Sequence, residues 1–337
     1  MPCRFNHGHL LPRLLELGAD INAIEHEHGY TSLCLALVLG YEWFARTLVR
    51  CGARLDIPCH TGRMALFIAI EKGMAEFVYL AITSNTQADL ANALVSIEYS
   101  LRPIHVAISH HHLFIFEMLL TLGANPELRE GENGYSALTM AIVTSCTAAA
   151  LRLIQLGVDL YTPNNHGRSP MYIAVERGLT DVIYALIFAG VPVDANVTIE
   201  RSPHGTLTAL HVAILHKQHS ALSLLLNMCA SITIKSGDGY SVLHLAVMAN
   251  NEYAVLKLLE MNATVSYCPK GRNPIYYACE KGYNGILLAF AQSHRAFGLP
   301  LDQPVTSAWE RPASMMCPLH VAAKANHPHT VSMPLIQ

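Results

Sequence analysis

Nine times along the chain an aliphatic anchor is followed three positions later by alanine. The anchors are Leu33, Leu66, Ile104, Leu138, Met171, Leu210, Leu243, Ile275 and Leu319, and the alanines run from Ala36 to Ala322 without exception. Their separations of 33, 38, 34, 33, 39, 33, 32 and 44 residues give a period of about 33 with insertions. One fixed small residue per period constrains the fold, because a single methyl lets two helices approach to the lower end of the usual 8–10 Å range. A chain with that pattern is an array of short helices, and repeats at this period are the signature of a solenoid.

Asp238–Asn250 shows one unit clearly. Asp238-Gly239 makes a tight turn and Ser241 stands where a helix N-cap belongs, its hydroxyl facing the first unpaired N–H groups. Leu243, Ala246 and Val247 follow at helical spacing. Asn250 falls where the helix must end in the left-handed region, and Val255, Leu256, Leu258 and Leu259 mark a second helix. Text such as Gly52-Ala53, Gly123-Ala124-Asn125 and Gly157-Val158-Asp159 closes the second helices elsewhere, glycine ending a helix C-terminus.

This β-turn plus two-helix unit resembles the ankyrin repeat, and the resemblance covers essentially the whole chain. Its TPLH-type text stands as Arg102–His105, Thr208–His211, Ser241–His244 and Cys317–His320; elsewhere the histidine slot holds Cys34, Phe67, Thr139, Tyr172 or Tyr276. The resemblance implies an all-α ankyrin-repeat solenoid, helix-turn-helix repeats with β-turn fingers, of about nine to ten repeats with partial terminal ones.

A second period overlies the first. Class-one text begins at His28, Asn133 and Asp238; class two (TGRMALFIAIEKG and its relatives) at Thr61, His166 and Lys270; class three at Arg102, Thr208 and Cys317. Anchors within a class lie 104 to 109 residues apart. The chain therefore reads as a single array over 1–337 made of three modules, approximately 28–132, 133–237 and 238–337. Inserted loops are expected at approximately 83–99, 191–206 and 291–316, each before a class-three repeat, the last rich in proline. Asn6-His7 aligns with Asn326-His327, so the chain is expected to open inside one class-three repeat and close inside another, where Pro328 and Pro334 interrupt the second helix.

Composition narrows the function. Hydrophobic residues make up 52% and charged ones 14% of the 337, with a net charge of -3 and no basic run, which argues against nucleic acid as a partner. Mean hydropathy is +0.29, yet no apolar run approaches the roughly 20 residues of a membrane span, and no signal peptide is visible. The nine cysteines form no CxxC pair and their count is odd, so they are read as reduced, in a cytoplasmic protein.

Candidate contact residues follow the finger glycines and alternate by class: Tyr30, Arg63, Tyr135, Arg168, Tyr240 and Arg272. Tyrosine and arginine are favoured interface anchors; the competing reading is that they cover the neighbouring finger. Class-two helices end in Glu71-Lys72, Glu176-Arg177 and Glu280-Lys281, read mainly as solvated helix ends with a cation complementing the dipole. His110-His111-His112 is the one cluster that hints at metal, but successive residues at a turn diverge, and no metal site or other cofactor is expected. Catalytic motifs are absent. Asn22 resembles the hairpin asparagine that ankyrin repeats offer to an asparaginyl hydroxylase.

The sequence thus predicts a non-catalytic protein–protein interaction scaffold or adaptor, working through the concave face, finger turns and periodic loops. The alternatives are a substrate-recognition subunit of a ubiquitin ligase, an endosomal adaptor, or the soluble regulatory region of a larger membrane protein such as a channel or acyltransferase.

Overall fold

In the computed structural model, residues 10–84, 89–197, 205–297 and 317–328 are described, the side chains of 294–297 excepted. Asn6-His7, the third insertion from residue 298 onward and Pro334 lie outside them. Among the described residues the regular elements are helices, with isolated β-bridges at the fingers. The chain divides into two compact units, Met1–His166 and Gly167–Gln337. That boundary falls inside a class-two finger, so the units do not coincide with the 105-residue modules.

The N-terminal unit holds α1 (Leu11–Glu16) and four helix pairs: α2 (Ser32–Val38) with α3 (Glu42–Arg50), α4 (Ala65–Glu71) with α5 (Ala75–Ser84), α6 (Pro103–Ser109) with α7 (Leu113–Thr121), and α8 (Ala137–Val143) with α9 (Thr147–Gln155). The C-terminal unit holds α10 (Pro170–Glu176) with α11 (Thr180–Phe188), α12 (Ala209–Leu215) with α13 (His219–Asn227), α14 (Val242–Met248) with α15 (Glu252–Glu260), α16 (Pro274–Lys281) with α17 (Asn284–Phe297), and α18 (Pro318–Lys324).

Inner helices are seven or eight residues long and too short to stand alone; stacking makes them stable. Within each unit every inner helix packs on the next, α2 through α8 and α10 through α18 in steps of two, and the outer helices form a parallel row. The nine anchor-plus-three alanines are all 0–1% exposed. They sit where inner helices meet, as the small-residue argument requires. Outer helices contribute the bulk, with Phe44, Phe77, Phe116 and Phe290 fully buried.

The caps explain where helices start. Thr31, Ser136, Ser169, Ser241 and Asn273 each accept the backbone N–H three residues on, satisfying a donor that the first turn leaves open. In Thr208 and Ser241 the same hydroxyl also meets the histidine of the motif, at 2.9 and 2.7 Å from His211 Nδ1 and His244 Nδ1. Asn250 is left-handed, with φ 50°.

Where they are described, the first two insertions run along the fingers. Met64 N donates to Val95 O and Ser169 N to Val197 O, so each of the first two segments packs back against the class-two finger. Val95 and Val197 are 2% and 3% exposed. A buried valine and a backbone hydrogen bond make these stretches part of the finger stack. In the third, the helix expected to end before Ala291 runs on to Phe297. The second helix expected around Pro328 lies outside the described residues, which end at that position.

Candidate functional site

The Arg of each class-two finger joins an arrangement that recurs three times. Arg63, Phe67 and Glu71 are spaced by four, as are Arg168, Tyr172 and Glu176, and Arg272, Tyr276 and Glu280. The ring and the carboxylate are one turn apart on the same face of each class-two inner helix, and the finger arginine just before the helix folds back over them, giving a cation–ring–carboxylate stripe. The guanidinium carbons lie 5.0, 5.1 and 4.4 Å from the ring centroids of Phe67, Tyr172 and Tyr276. Nη1 reaches the glutamate Oε1 at 3.4, 3.2 and 3.9 Å, and Tyr276 Oη donates to Glu280 at 3.3 Å. Exposed cation–ring and ion-pair contacts are each worth about 0.2–1 kcal/mol. Repetition makes the stripe a pattern.

The next repeat fastens the far end of that helix. His112 Nε2 lies 3.1 Å from Glu71 O, Gln218 Nε2 donates to Glu176 O at 2.6 Å, and His327 Nε2 lies 3.0 Å from Glu280 O. These carbonyls have no partner inside their own helix. The crossing side chain passes over the glycine that ends the class-two helix: a Cβ at Gly178 would stand 2.5 Å from Gln218 Oε1, and Gly178 has φ +69°. Asn251 does the same for α12, donating to Ile214 O at 3.0 Å. In the second copy His216 closes the cluster, 3.3 Å from Tyr172 Oη and 3.8 Å from Glu176.

The six predicted contact residues are not equivalent. Arg168 is exposed, and Arg63, Arg272, Tyr30 and Tyr135 are half-buried. Tyr240 is 7% exposed, edge-on to His244 and Tyr277. Its ring packs inside the finger stack and presents little surface to a partner. Tyr277 supplies the reason: the position two after the anchor is Ile68 and Ile173 in the other class-two repeats, and an aromatic ring there covers the tyrosine. Tyr30 stacks on His28 at 5.4 Å. The glutamates read as solvated helix ends are bonded to the finger arginines instead, because the finger turns its arginine back over the helix.

Sequence reasoning missed two acids. Glu130, 4% exposed, accepts from the backbone N–H of Glu132, Asn133 and Tyr135, and Glu25 does so from Glu27, His28 and Tyr30. Burial raises the Glu25 pKa, but these donors outweigh it and hold the carboxyl below its ordinary value. The signal was present: an acid five residues before the class-one tyrosine in two of three copies.

The motif histidines and the triplet at 110–112 are held by packing and turns. His110 and His112 rings stack at 6.3 Å, while His111 is left-handed with φ 58°, so the three do not converge on one point. Among the described residues the close group of metal-type ligands is Glu25, Glu27 and His28, on the surface. His105, His211 and His244 are 0% exposed, and burial pushes each pKa down to about 4. His244 Nδ1 faces Ser241 Oγ and Nε2 lies 3.1 Å from Arg272 O, the arrangement of a neutral ring. Cys34, Cys59, Cys146, Cys268 and Cys279 are free and buried. Asn22 Oδ1 accepts from Arg54 N at 2.8 Å, linking adjacent fingers.

Comparison with known proteins agrees with this geometry. The family model "Ankyrin repeats (3 copies)" matches residues 104–199, 171–267 and 210–298, more than half of the chain. The chain belongs to the ankyrin-repeat family. It is 32% identical over 164 residues to the B-cell lymphoma 3 protein homolog of Mus musculus, 45% of this chain and 35% of that protein. It is 24% identical to the putative palmitoyltransferase ZDHHC13 of Danio rerio over 92% of this chain and 46% of that one, and 24% identical to Rabankyrin-5 of Mus musculus over 96% and 28%. The chain thus spans less than half the length of these relatives. The crystal structure of the ankyrin repeat domain of Bcl-3 superposes with a TM-score of 0.53 at 23% identity, covering 66% of this chain and 94% of that one. Ankyrin repeats are in general protein-interaction modules, and no described helix is long and apolar enough to cross a membrane.

Proposed function

We propose that the chain is a non-catalytic scaffold or adaptor that binds other proteins through its inner-helix face, finger turns and inserted segments, with the 105-residue triplet as the binding unit. The observation that carries this reading is the fate of the reactive-looking side chains. Thr208–His211 and Ser241–His244 have the reach of a nucleophile and its base, yet both histidines are 0% exposed and the hydroxyls are spent on capping. What reaches solvent is a periodic display of Arg and Tyr, residue types enriched at interfaces, with Glu beside the arginines.

Tyr30, Arg63, Tyr135, Arg168 and Arg272 remain the candidate contacts, through the edges their internal bonds leave open. Affinity purification of the full chain against its Tyr135→Ala/Arg168→Ala variant tests this. Stoichiometric partners that weaken in the variant are expected; a folded wild-type chain that retains no protein overturns the reading.

A second reading has specific support. The alignment to the putative palmitoyltransferase covers 92% of this chain, and that to the transient receptor potential cation channel subfamily A member 1 of Drosophila melanogaster covers 85%. Under it the array is the regulatory region of a longer membrane protein. Coding sequence flanking this chain decides it: membrane spans there support it, their absence removes it.

A further inference from the structure

The two units carry opposite charge. Residues 1–166 have 10 Lys and Arg against 15 Asp and Glu, whereas residues 167–337 have 12 against 10. In the C-terminal unit the excess gathers where the inner helices end. Arg177 caps α10, Lys217 follows α12, Lys281 ends α16 and Lys324 ends α18, and all four are exposed. Among the described residues, the ion pairs of this unit join Arg168 and His216 to Glu176, Lys257 to Glu260, and Arg272 to Glu280, and none of them involves this row of cations. The carboxylates on the same side are Glu176 and Glu280, already engaged, and Asp181 and Glu252 in the first turns of α11 and α15, where the helix dipole favours them. Between the cations the edge is apolar: Leu215 ends α12 half-buried, and Met248 ends α14 at 36% exposure.

We propose that this edge of the C-terminal unit docks an acidic peptide segment of a partner protein, one carrying apolar side chains between two groups of carboxylates. The inference rests on the protein-binding reading and specifies the partner's chemistry. Inner helices stack about 8–10 Å apart, so Arg177 and Lys217 lie roughly 10 Å apart and Arg177 and Lys281 roughly 30 Å. An extended peptide rises about 3.3 Å per residue, so about nine residues reach from Arg177 to Lys281, with acids at its ends and an apolar centre over Leu215 and Met248. Nucleic acid fits less well, since its phosphates are closely spaced and would meet an apolar stretch mid-row. At the fifth to seventh positions after the anchor, where Arg177, Lys217, Lys281 and Lys324 stand, the N-terminal unit has one Lys or Arg, Lys72, beside Glu71.

Fluorescence anisotropy on the full chain tests the proposal with three labelled probes: a twelve-residue Glu peptide with two central leucines, its Lys-for-Glu counterpart, and a twelve-nucleotide oligo-dT. The Glu peptide is expected to bind best, more weakly as salt rises. The R177E/K217E/K281E variant should lose at least about tenfold in affinity, while K235E/K270E, with charge reversed at the fingers, changes less than about twofold; circular dichroism checks that both are folded. Equal binding of the Lys peptide or the oligo-dT, or an unchanged triple variant, overturns the proposal. If the triple variant loses the Glu peptide yet still captures cellular partners, the edge is not their docking site and the broader binding reading stands.

Discussion

The class-three repeats of the two units fill the same slot differently. In the C-terminal unit Thr208 caps α12, and His211 bonds to its hydroxyl. In the N-terminal unit the residue at that slot is Arg102, which has no hydroxyl; its guanidinium reaches back to Asn92 O in the inserted segment. His105 is therefore buried with no hydrogen-bond partner on either ring nitrogen. One substitution gains a tie to the insertion and loses the cap. The scaffold tolerates the exchange because each repeat answers only to its neighbours, so local devices vary while anchor and alanine stay.

The largest expected effect concerns these histidines. Their folded pKa of about 4 lies below the ordinary 6.5, so the folded protein keeps them neutral while the unfolded chain binds protons. Stability is fully present above pH 6.5 and is lost as pH falls toward 4, by up to about 3 kcal/mol per histidine. Urea midpoints measured from pH 7.5 to 4.5 should fall with pH; His244→Gln should flatten the slope. Next, Gly178→Ala should cost about 2 kcal/mol, because it strains a left-handed residue and displaces Gln218. Gly40→Ala, with φ +80° and nothing within 4 Å, should cost only about 1 kcal/mol. Equal costs in chemical denaturation would remove the crossing side chain from the account. His105→Leu should be near neutral or stabilising, whereas His211→Leu should destabilise by about 1–2 kcal/mol by stripping a partner from Thr208. The smallest effect is the stripe: a double-mutant cycle on Arg168→Ala and Glu176→Gln should give a coupling of about 0.5 kcal/mol.

How legible this was in the sequence depended on distance along the chain. Ser241, Ala246 and Asn250 were readable because cap, packing and helix end are local and recur every 33 residues. The Arg168–Tyr172–Glu176 stripe was visible residue by residue but not as a unit, since a finger turn separates the arginine from its helix. Gln218 over Gly178 joins residues 40 apart, and only stacking brings them together. The burial of Tyr240 is not legible locally, because it depends on Tyr277 in the next repeat, a departure from Ile68 and Ile173 that only packing gives meaning.

Hydrogen exchange on the full chain, with and without saturating Glu peptide, tests whether binding occurs on the inner-helix side of a fold whose conspicuous polar groups are fasteners. The account predicts slowed exchange at the ends of α10, α12 and α16 and unchanged rates on the outer helices α11, α13 and α15. Protection confined to those outer helices, or none at saturation, would contradict it.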